Sequence, residues 1–307
     1  MKIFILDSFH PAGVEYASKH AEIVRWDDPR VKDWPEEADA VMVRGTKIRE
    51  ADLARAKKLK IISKQGVGYD NIDVVAAKKH GIPVVRTPGV NKEAVAELAI
   101  GLAIAVGRRI AELDRRVRAG EKLDRTKILG IEMWGKTVGV VGVGNIGTRV
   151  AHKWQAAFDC KIVGYDPYKK ISPLEQRKNL EDLLKAADLV TLHVPLNEET
   201  KYLIGKRELA LMKPTAILIN TCRGGVVDEA ALYEALKAGK LFGAGIDVWE
   251  TETPRIDSRL LELPNVVATP HAGGGTEETQ IRSALQVAEQ AVDALNGKPL
   301  IAENRIA

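Results

Sequence analysis

Short apolar runs rich in β-branched residues alternate along the chain with longer stretches whose apolar positions recur every three or four residues. In the first third the short runs predict strands at Lys2–Leu6, Ala40–Val43, Lys60–Ser63 and Pro83–Arg86. Helices are expected between them near Pro11–Lys19, Glu50–Lys57 and Asp73–Lys79. One long helix then begins near Asn91 and runs to about Arg118, apolar almost all round at first and striped with arginines afterwards. Its first half should lie buried between layers. A second series follows, with strands at Thr137–Val141, Lys161–Tyr165, Leu189–His193, Ala216–Asn220, Phe242–Ile246 and Val266–Ala268. Helices at Ile146–Ala157, Asn179–Ala186, Lys206–Ala210 and Glu229–Ala238 fall between most of them, and a last helix runs from Glu277 to about Leu295. Strands that alternate with helices predict an α/β protein whose parallel sheets are flanked by helices, the second series forming a doubly wound sheet. Because that series is followed by a single helix, the first domain is expected to be discontinuous, with the last helix packing back onto it.

Composition narrows the class without changing the fold. At 307 residues with 45% hydrophobic content, the chain is long enough for two domains with real cores. The apolar stretch Ile3–Leu6 ends at Asp7, too short for a signal peptide, and Ala94–Gly107 is too short for a membrane span and carries Glu97. The expectation is a soluble, cytoplasmic protein. Cys160 and Cys222 match no metal or redox spacing, which reads as two reduced thiols, and no metal site is expected. A formal charge of +4 is mild. The basic concentration from Arg108 to Lys127 contains no aromatic residue on which a base could stack, so a solvated or subunit-facing helix is expected and not a nucleic-acid partner.

The strongest local signal is GKTVGVVGVGNIGTRVAHKW, which places G-x-G-x-x-G at Gly142, Gly144 and Gly147 between an apolar β run and an amphipathic helix. Glycines there serve a tight turn, close approach of backbone to a pyrophosphate, and close packing of helix on sheet. The phosphates would meet the N–H groups of Asn145 and Ile146 at the helix N-terminus. At the end of the next strand Asp166 stands nineteen residues after Gly147, where a carboxylate can accept hydrogen bonds from ribose hydroxyls. Asp166 should repel a ribose 2′-phosphate, which favours NAD over NADP; the neighbouring Lys169 and Lys170 keep that preference moderate. The larger domain is therefore expected to be a dinucleotide-binding (Rossmann) domain.

In an open parallel sheet, ligands bind beyond the carboxyl ends of the strands. That filter selects Asn220 to Gly224 after one strand, Asp247 after another, and His271 in NVVATPHAGG after the last. Thr221 and Cys222 are assigned to the cofactor on this basis. Hydride exchange between a 2-oxo acid and a 2-hydroxy acid needs a cation for the carboxylate, a group that exchanges the hydroxyl proton, and an acid that orients that group. Arg223 can supply the first and His271 the second. The loop VWETETP offers Glu250 and Glu252 for the third, and spacing alone does not choose between them.

The segments GVGYDNIDVVAAKKHGIPVV, GKTVGVVGVGNIG, LHVPLNEETKYLIGKRELALMKPTAILINTCRGGVVDEAAL, GAGIDVWETE and NVVATPHAGG together resemble the D-isomer-specific 2-hydroxyacid dehydrogenases. The resemblance implies a substrate domain of residues 1–95 plus 278–307, an NAD-binding domain of residues 96–277, and a homodimer. It places the family's catalytic arginine on Arg223, its histidine on His271 and its glutamate on Glu252, with Thr253 where the family has proline. It also puts Asp247 against the nicotinamide amide, His193 and Pro195 at the adenine, and the backbone N–H groups of Val67 and Gly68 on the substrate carboxylate. The stretch VMVRGTK resembles the segment of phosphoglycerate dehydrogenases that approaches the substrate phosphate, and DRTKILG resembles one that reaches a neighbouring subunit's site. Arg44, Lys47 and Arg125 are the phosphate ligands this implies, with 3-phospho-D-glycerate and 3-phosphohydroxypyruvate as the substrate pair. Reduction of glyoxylate or hydroxypyruvate, or a broad D-2-hydroxyacid dehydrogenase activity, is the alternative, and a corepressor that senses NAD without turnover is the non-enzymatic one.

Overall fold

The computed structural model describes residues 1–169, 175–252 and 255–307. Its contacts divide the chain into two compact units, Met1–Asn91 with Gly275–Ala307, and Lys92–Gly274.

The first unit contains β1 (Lys2–Ile5), α1 (Pro11–Ser18), β2 (Glu22–Val24), α2 (Trp34–Glu37), β3 (Ala40–Val43), α3 (Glu50–Leu53), β4 (Ile61–Lys64), α4 (Val74–Lys79) and β5 (Val84–Arg86). Its five strands run parallel in the order β2-β1-β3-β4-β5. Alternation along a strand sends successive side chains to opposite faces. In β3, Val41 and Val43 join one core with Phe4, Ile62 and Val84, whereas Ala40 and Met42 join the other with Ile3, Ile5 and Ile61. The second core is closed by the last helix, α11 (Glu277–Leu295), whose Ala284, Val287, Ala288 and Ala291 are buried. Helix α1 lies close against α11, since a Cβ on Gly13 would stand 2.5 Å from the carbonyl oxygen of Ala284.

The second unit opens with α5 (Lys92–Gly107) and α6 (Ile110–Arg118), followed by β6 (Thr137–Val141), α7 (Asn145–Phe158), β7 (Lys161–Tyr165), β8 (Glu175–Gln176), α8 (Leu180–Ala186), β9 (Leu189–Leu192), α9 (Lys206–Leu211), β10 (Ile217–Asn220), α10 (Glu229–Lys237), β11 (Gly243–Ile246) and β12 (Val266–Ala268). These seven strands form one parallel sheet in the order β12-β11-β10-β9-β6-β7-β8, with a core on each face. The fold is α/β, with a doubly wound sheet of the dinucleotide-binding kind in the larger unit.

One expectation needs correction. The helix predicted to run unbroken from Asn91 to Arg118 is two helices, because Arg109 adopts a left-handed conformation (φ 55°) between them. The carbonyl of Gly107, which a continuing helix would use internally, instead accepts the N–H of Ile131 at 2.8 Å. Gly130 lets that later segment cross directly over the helix end, since a Cβ there would meet the Gly107 oxygen at 2.5 Å. The first helix, α5, is buried along Ala99, Leu102, Ala103 and Val106 against the sheet, whereas α6 has no buried residue. The short strands β2 and β8 and the turn of helix α2 were not expected from the sequence.

Candidate active site

Strand order reverses around β6, whose neighbours are β9 on one side and β7 on the other. The C-terminal end of β6 is thus the switch point of the sheet, where nucleotides bind in such folds. Gly142 makes the turn there with φ +85°, and its N–H donates to the carbonyl of Tyr165 at 2.9 Å. A side chain at this position would also strike the backbone of His193, 2.5 Å from the added Cβ. Gly147 brings the first turn of α7 against that loop, with a Cβ only 2.1 Å from the Gly142 oxygen. Gly144 differs, because its backbone (φ −83°, ψ −156°) is ordinary and, its chain neighbours aside, nothing among the described residues lies within 4 Å of its missing Cβ. The open space beside it is what a pyrophosphate approaching the backbone requires.

Around that turn, Asn145 is exposed and Ile146 half-buried at the start of α7. Asp166 ends β7 and is tied by both oxygens, Oδ2 accepting from the N–H of Val143 at 3.0 Å and Oδ1 from those of Tyr168 and Lys169 at 3.0 and 3.1 Å. With three of its roughly four lone-pair sites used in this way, the carboxylate keeps one for a ribose hydroxyl. Lys170 lies outside the described residues. At the end of β9, Nε2 of His193 pairs with the hydroxyl of Thr191 at 2.9 Å, while Nδ1 is buried without a partner. Burial pushes the ring down to about 3. The hydroxyl oxygen of Thr221, at the end of β10, is buried and equally without a partner. Orphaned buried polar atoms are uncommon in native proteins, and two at the switch point are groups a ligand would satisfy. Pro195 is exposed nearby in sequence, and the buried thiol of Cys222 is pushed up by desolvation. Together the open glycine turn, the carboxylate and the orphaned atoms fit a dinucleotide.

Three loops at the ends of β10, β11 and β12 carry the polar residues singled out from the sequence. Nδ1 of His271 meets Oε2 of Glu252 at 2.9 Å, and the other oxygen of Glu252 accepts the N–H of Trp249 at 3.1 Å. Burial alone would raise the Glu252 carboxyl. The bond to His271, that residue's charge, the Trp249 N–H and the charge of Arg223 outweigh it and hold the carboxyl below its ordinary range. Glu250, the alternative from spacing, faces α10: it accepts the N–H of Glu229 at 3.1 Å, and Glu229 accepts the N–H of Glu250 at 2.6 Å. This exchange clamps the loop to α10 and leaves Glu252 for the histidine.

The backbone explains how the three loops converge. Asn220, buried at the end of β10, accepts the N–H of Cys222 at 3.1 Å and donates to the carbonyl of Arg223 at 2.9 Å, which shapes the arginine's turn. Gly224 then passes so close to the next loop that a Cβ would lie 2.0 Å from the carbonyl carbon and oxygen of Trp249. Only glycine permits that crossing, which sets the Arg223 turn directly against the Trp249–Glu252 segment. Trp249 is a buried core residue whose indole N–H donates to the carbonyl of Thr269 at 3.0 Å, tying the second loop to the third. Asp247 is fully buried and anchors the histidine turn, accepting from the Thr269 hydroxyl at 2.5 Å and the N–H groups of Ala272 and Gly273 at 2.8 and 3.0 Å. His271 itself is left-handed (φ 56°), with its N–H on the Asp247 carbonyl at 2.7 Å. Thr253 lies outside the described residues. The anchoring by Asn220, Trp249 and Thr269 had no distinctive sequence signal beyond their place at strand ends.

In the first unit, Val67 and Gly68 lie half-buried after β4. Arg44 and Lys47 are exposed on a loop wrapped around Asp7, whose carboxylate accepts the N–H groups of Arg44, Gly45 and Thr46 at 2.6, 3.1 and 3.0 Å. Neither side chain has an acidic partner among the described residues. In the second unit Arg125 is likewise exposed, beside the turn at Asp124–Thr126. Among the described residues no group of three or more His, Cys, Asp or Glu could hold a metal ion, and no helix is long and apolar enough to cross a membrane.

The family model described as D-isomer specific 2-hydroxyacid dehydrogenase, NAD binding domain, matches residues 100–273. The chain is 42% identical over 313 residues to the D-3-phosphoglycerate dehydrogenase of Methanocaldococcus jannaschii, covering 99% of this chain but 59% of that protein. It is 44% identical over 281 residues to the hydroxypyruvate reductase of Thermotoga maritima, covering 90% of each. Among solved structures, the D-lactate dehydrogenase of Aquifex aeolicus complexed with NAD and lactic acid superposes with a TM-score of 0.87 at 30% identity, covering 100% of this chain and 99% of that one.

Proposed function

Because the chain belongs to the D-isomer-specific 2-hydroxyacid dehydrogenases, we propose that it is an NAD-dependent enzyme interconverting 3-phospho-D-glycerate and 3-phosphohydroxypyruvate. The observation that carries the hydride-transfer reading is the His271–Glu252 pair at 2.9 Å, set beside Arg223 in the unit that holds the dinucleotide turn. A bound NAD would supply the hydride acceptor for C2 of the hydroxy acid and, once reduced, the donor for the reverse direction. With Nδ1–H donated to the ionised Glu252, the lone pair at Nε2 of His271 is left to take the hydroxyl proton, and the carboxylate stabilises the imidazolium that results. Arg223 grips the carboxylate and polarises the carbonyl through its planar fork of donors. The family resemblance assigns the N–H groups of Val67 and Gly68 to the substrate carboxylate. Asp166 selects against a 2′-phosphate and so favours NAD.

The phosphate assignment rests on Arg44 and Lys47, two exposed cations free of acidic partners among the described residues, with Arg125 as a third. A dianionic phosphate needs several charge-assisted donors. We further propose a homodimer, supported by the exposed apolar residues Ile110, Val117, Leu129 and Trp134 on α6 and the segment after it, and a cytoplasmic location, supported by the free buried thiols of Cys160 and Cys222. The second reading, a hydroxypyruvate or glyoxylate reductase, is favoured by the 44% identity to a hydroxypyruvate reductase matched over 90% of its length.

Initial rates with NADH and 3-phosphohydroxypyruvate, hydroxypyruvate and glyoxylate, followed by absorbance, decide between the two. Selectivity for the phosphorylated acid that is lost in Arg44→Ala and Lys47→Ala supports the first reading. Equal or better rates with the smaller acids, unaffected by those substitutions, establish the second. No turnover with any 2-oxo acid refutes both.

A further inference from the structure

We infer that Arg86 is a positioning residue that fixes and polarises the Val67–Gly68 peptide, and thereby sets the affinity for the substrate carboxylate. The inference rests on the assignment of that loop to the carboxylate. Nothing in the sequence pattern singled out Arg86. It ends β5, in register with Lys64 at the end of the neighbouring β4, and the loop in question follows β4 directly.

Hydrogen bonds and one cation–π contact link the end of β5 to that loop. Nη1 of Arg86 donates to the carbonyl oxygen of Val67 at 3.0 Å. The hydroxyl of the next residue, Thr87, accepts the N–H of Gly66 at 2.8 Å, and the N–H of Thr87 donates back to the Gly66 carbonyl at 3.2 Å. The Arg86 guanidinium also stands over the ring of Tyr69, 5.7 Å from its centroid. Residues 66, 67 and 69 are therefore each gripped from β5, whose Arg86 carbonyl is itself tied to α11 through Gln290 at 3.3 Å.

The geometry of a peptide gives this grip its chemical meaning. The carbonyl of Val67 and the N–H of Gly68 belong to one planar, trans unit and point in opposite directions. A guanidinium on the oxygen locks the plane, so the N–H is aimed away from Arg86 in a fixed direction. A charge-assisted bond to the carbonyl also polarises the amide and makes its N–H a stronger donor. Arg86 thus lends positive character to the carboxylate site without touching the substrate. The Nε of Arg86 is buried with no partner among the described residues, a cost the protein would shed if packing were the side chain's whole purpose.

The test compares the wild type with Arg86→Met, which keeps the apolar stem and removes every donor, and with Arg86→Lys, which keeps one. Steady-state KM and kcat are measured with NADH and the better of 3-phosphohydroxypyruvate and hydroxypyruvate. Calorimetry gives the Kd of oxamate, an unreactive 2-oxo acid analogue, for the NADH-loaded protein, and the Kd of NADH alone. Arg86→Met should raise KM and the oxamate Kd about tenfold, about 1.4 kcal/mol, with kcat and the NADH Kd within about threefold of wild type. Arg86→Lys should recover part of the affinity, and it carries the test with a smaller KM rise if the methionine variant is unstable. An oxamate Kd within twofold of wild type in both variants overturns the inference, as does a parallel loss of NADH binding. A wild type that neither turns over nor binds oxamate refutes the carboxylate reading itself, and this inference with it.

Discussion

Gly224→Ala is the sharpest test of how the proposed catalytic residues are brought together. The added Cβ would lie 2.0 Å from the carbonyl carbon and oxygen of Trp249 and 2.5 Å from the nitrogen of Glu250, whereas real Cβ atoms essentially never come within 3.0 Å of a neighbour. One loop must therefore retreat by about 1 Å, the gap between 2.0 and 3.0 Å. The Trp249 side is poorly placed to yield, with its indole buried and bonded to Thr269 and its neighbour Glu250 clamped to α10. The Arg223 turn should move instead. Overpacking of this kind costs about 1–3 kcal/mol of stability, and a misplacement of about 1 Å in a catalytic constellation costs on the order of a hundredfold in rate. Gly225→Ala is the control, because its Cβ would meet only the side chain of Leu196 at an ordinary 3.5 Å. We expect kcat/KM of Gly224→Ala to fall about a hundredfold with NADH affinity within about threefold of wild type, and Gly225→Ala to behave as wild type. A Gly224→Ala rate within threefold of wild type, or an equal loss in both variants, would refute the reasoning.

Other outcomes follow from the same geometry. His271→Ala should lower kcat by about a hundredfold to ten-thousandfold while leaving the NADH Kd unchanged; an unaltered kcat removes His271 from proton transfer. Asp166→Ala should weaken NAD binding and narrow the gap between NAD and NADP by calorimetry, and unchanged constants for both would disprove the ribose assignment. His193 titrates at about 3 in the folded protein against an ordinary 6.5, so below about pH 6.5 the unfolded chain binds a proton that the folded one refuses, and stability falls with pH toward 3. Between about pH 7.5 and pH 5 this amounts to about 2 kcal/mol. In urea titrations His193→Gln should lose that much of the wild-type pH dependence, and identical slopes would show that the ring titrates normally.

The chain's pattern was legible wherever one local signal sufficed. Runs such as Ala40–Val43 and Thr137–Val141 are almost wholly buried strands, and continuous β-branched stretches leave little choice of structure. Strand β2 was not legible because, of its three residues, only Val24 is buried, so its apolar signal is one residue long. The end of α5 was missed for a different reason. Its cause is the crossing of Gly130–Ile131, more than twenty residues away, and a helical pattern carries no record of a distant segment. The same distinction divides the candidate site. Gly142, Gly144, Gly147, Arg223, Glu252 and His271 are singled out by motif and strand-end position, together with the family resemblance for Glu252. Among the supports of the site, Asn220 shapes its own turn, Gly224, Trp249 and Asp247 act through contacts between separate loops, and Arg86 acts through a peptide in the loop after a neighbouring strand.

The left-handed backbone of His271 has a consequence for anyone who would make this protein sturdier. A β-carbon in that conformation costs roughly 1–2 kcal/mol, glycine avoids the cost and asparagine bears it well. The pair with Glu252 returns little in exchange, since its side chains are 47% and 34% exposed and such pairs contribute at most about 1 kcal/mol. A library sorted for heat resistance alone should therefore enrich glycine or asparagine at position 271 and deliver well-folded, inert proteins. On the proposed role of His271 in proton transfer, only a screen that reads turnover and folding together would keep this residue.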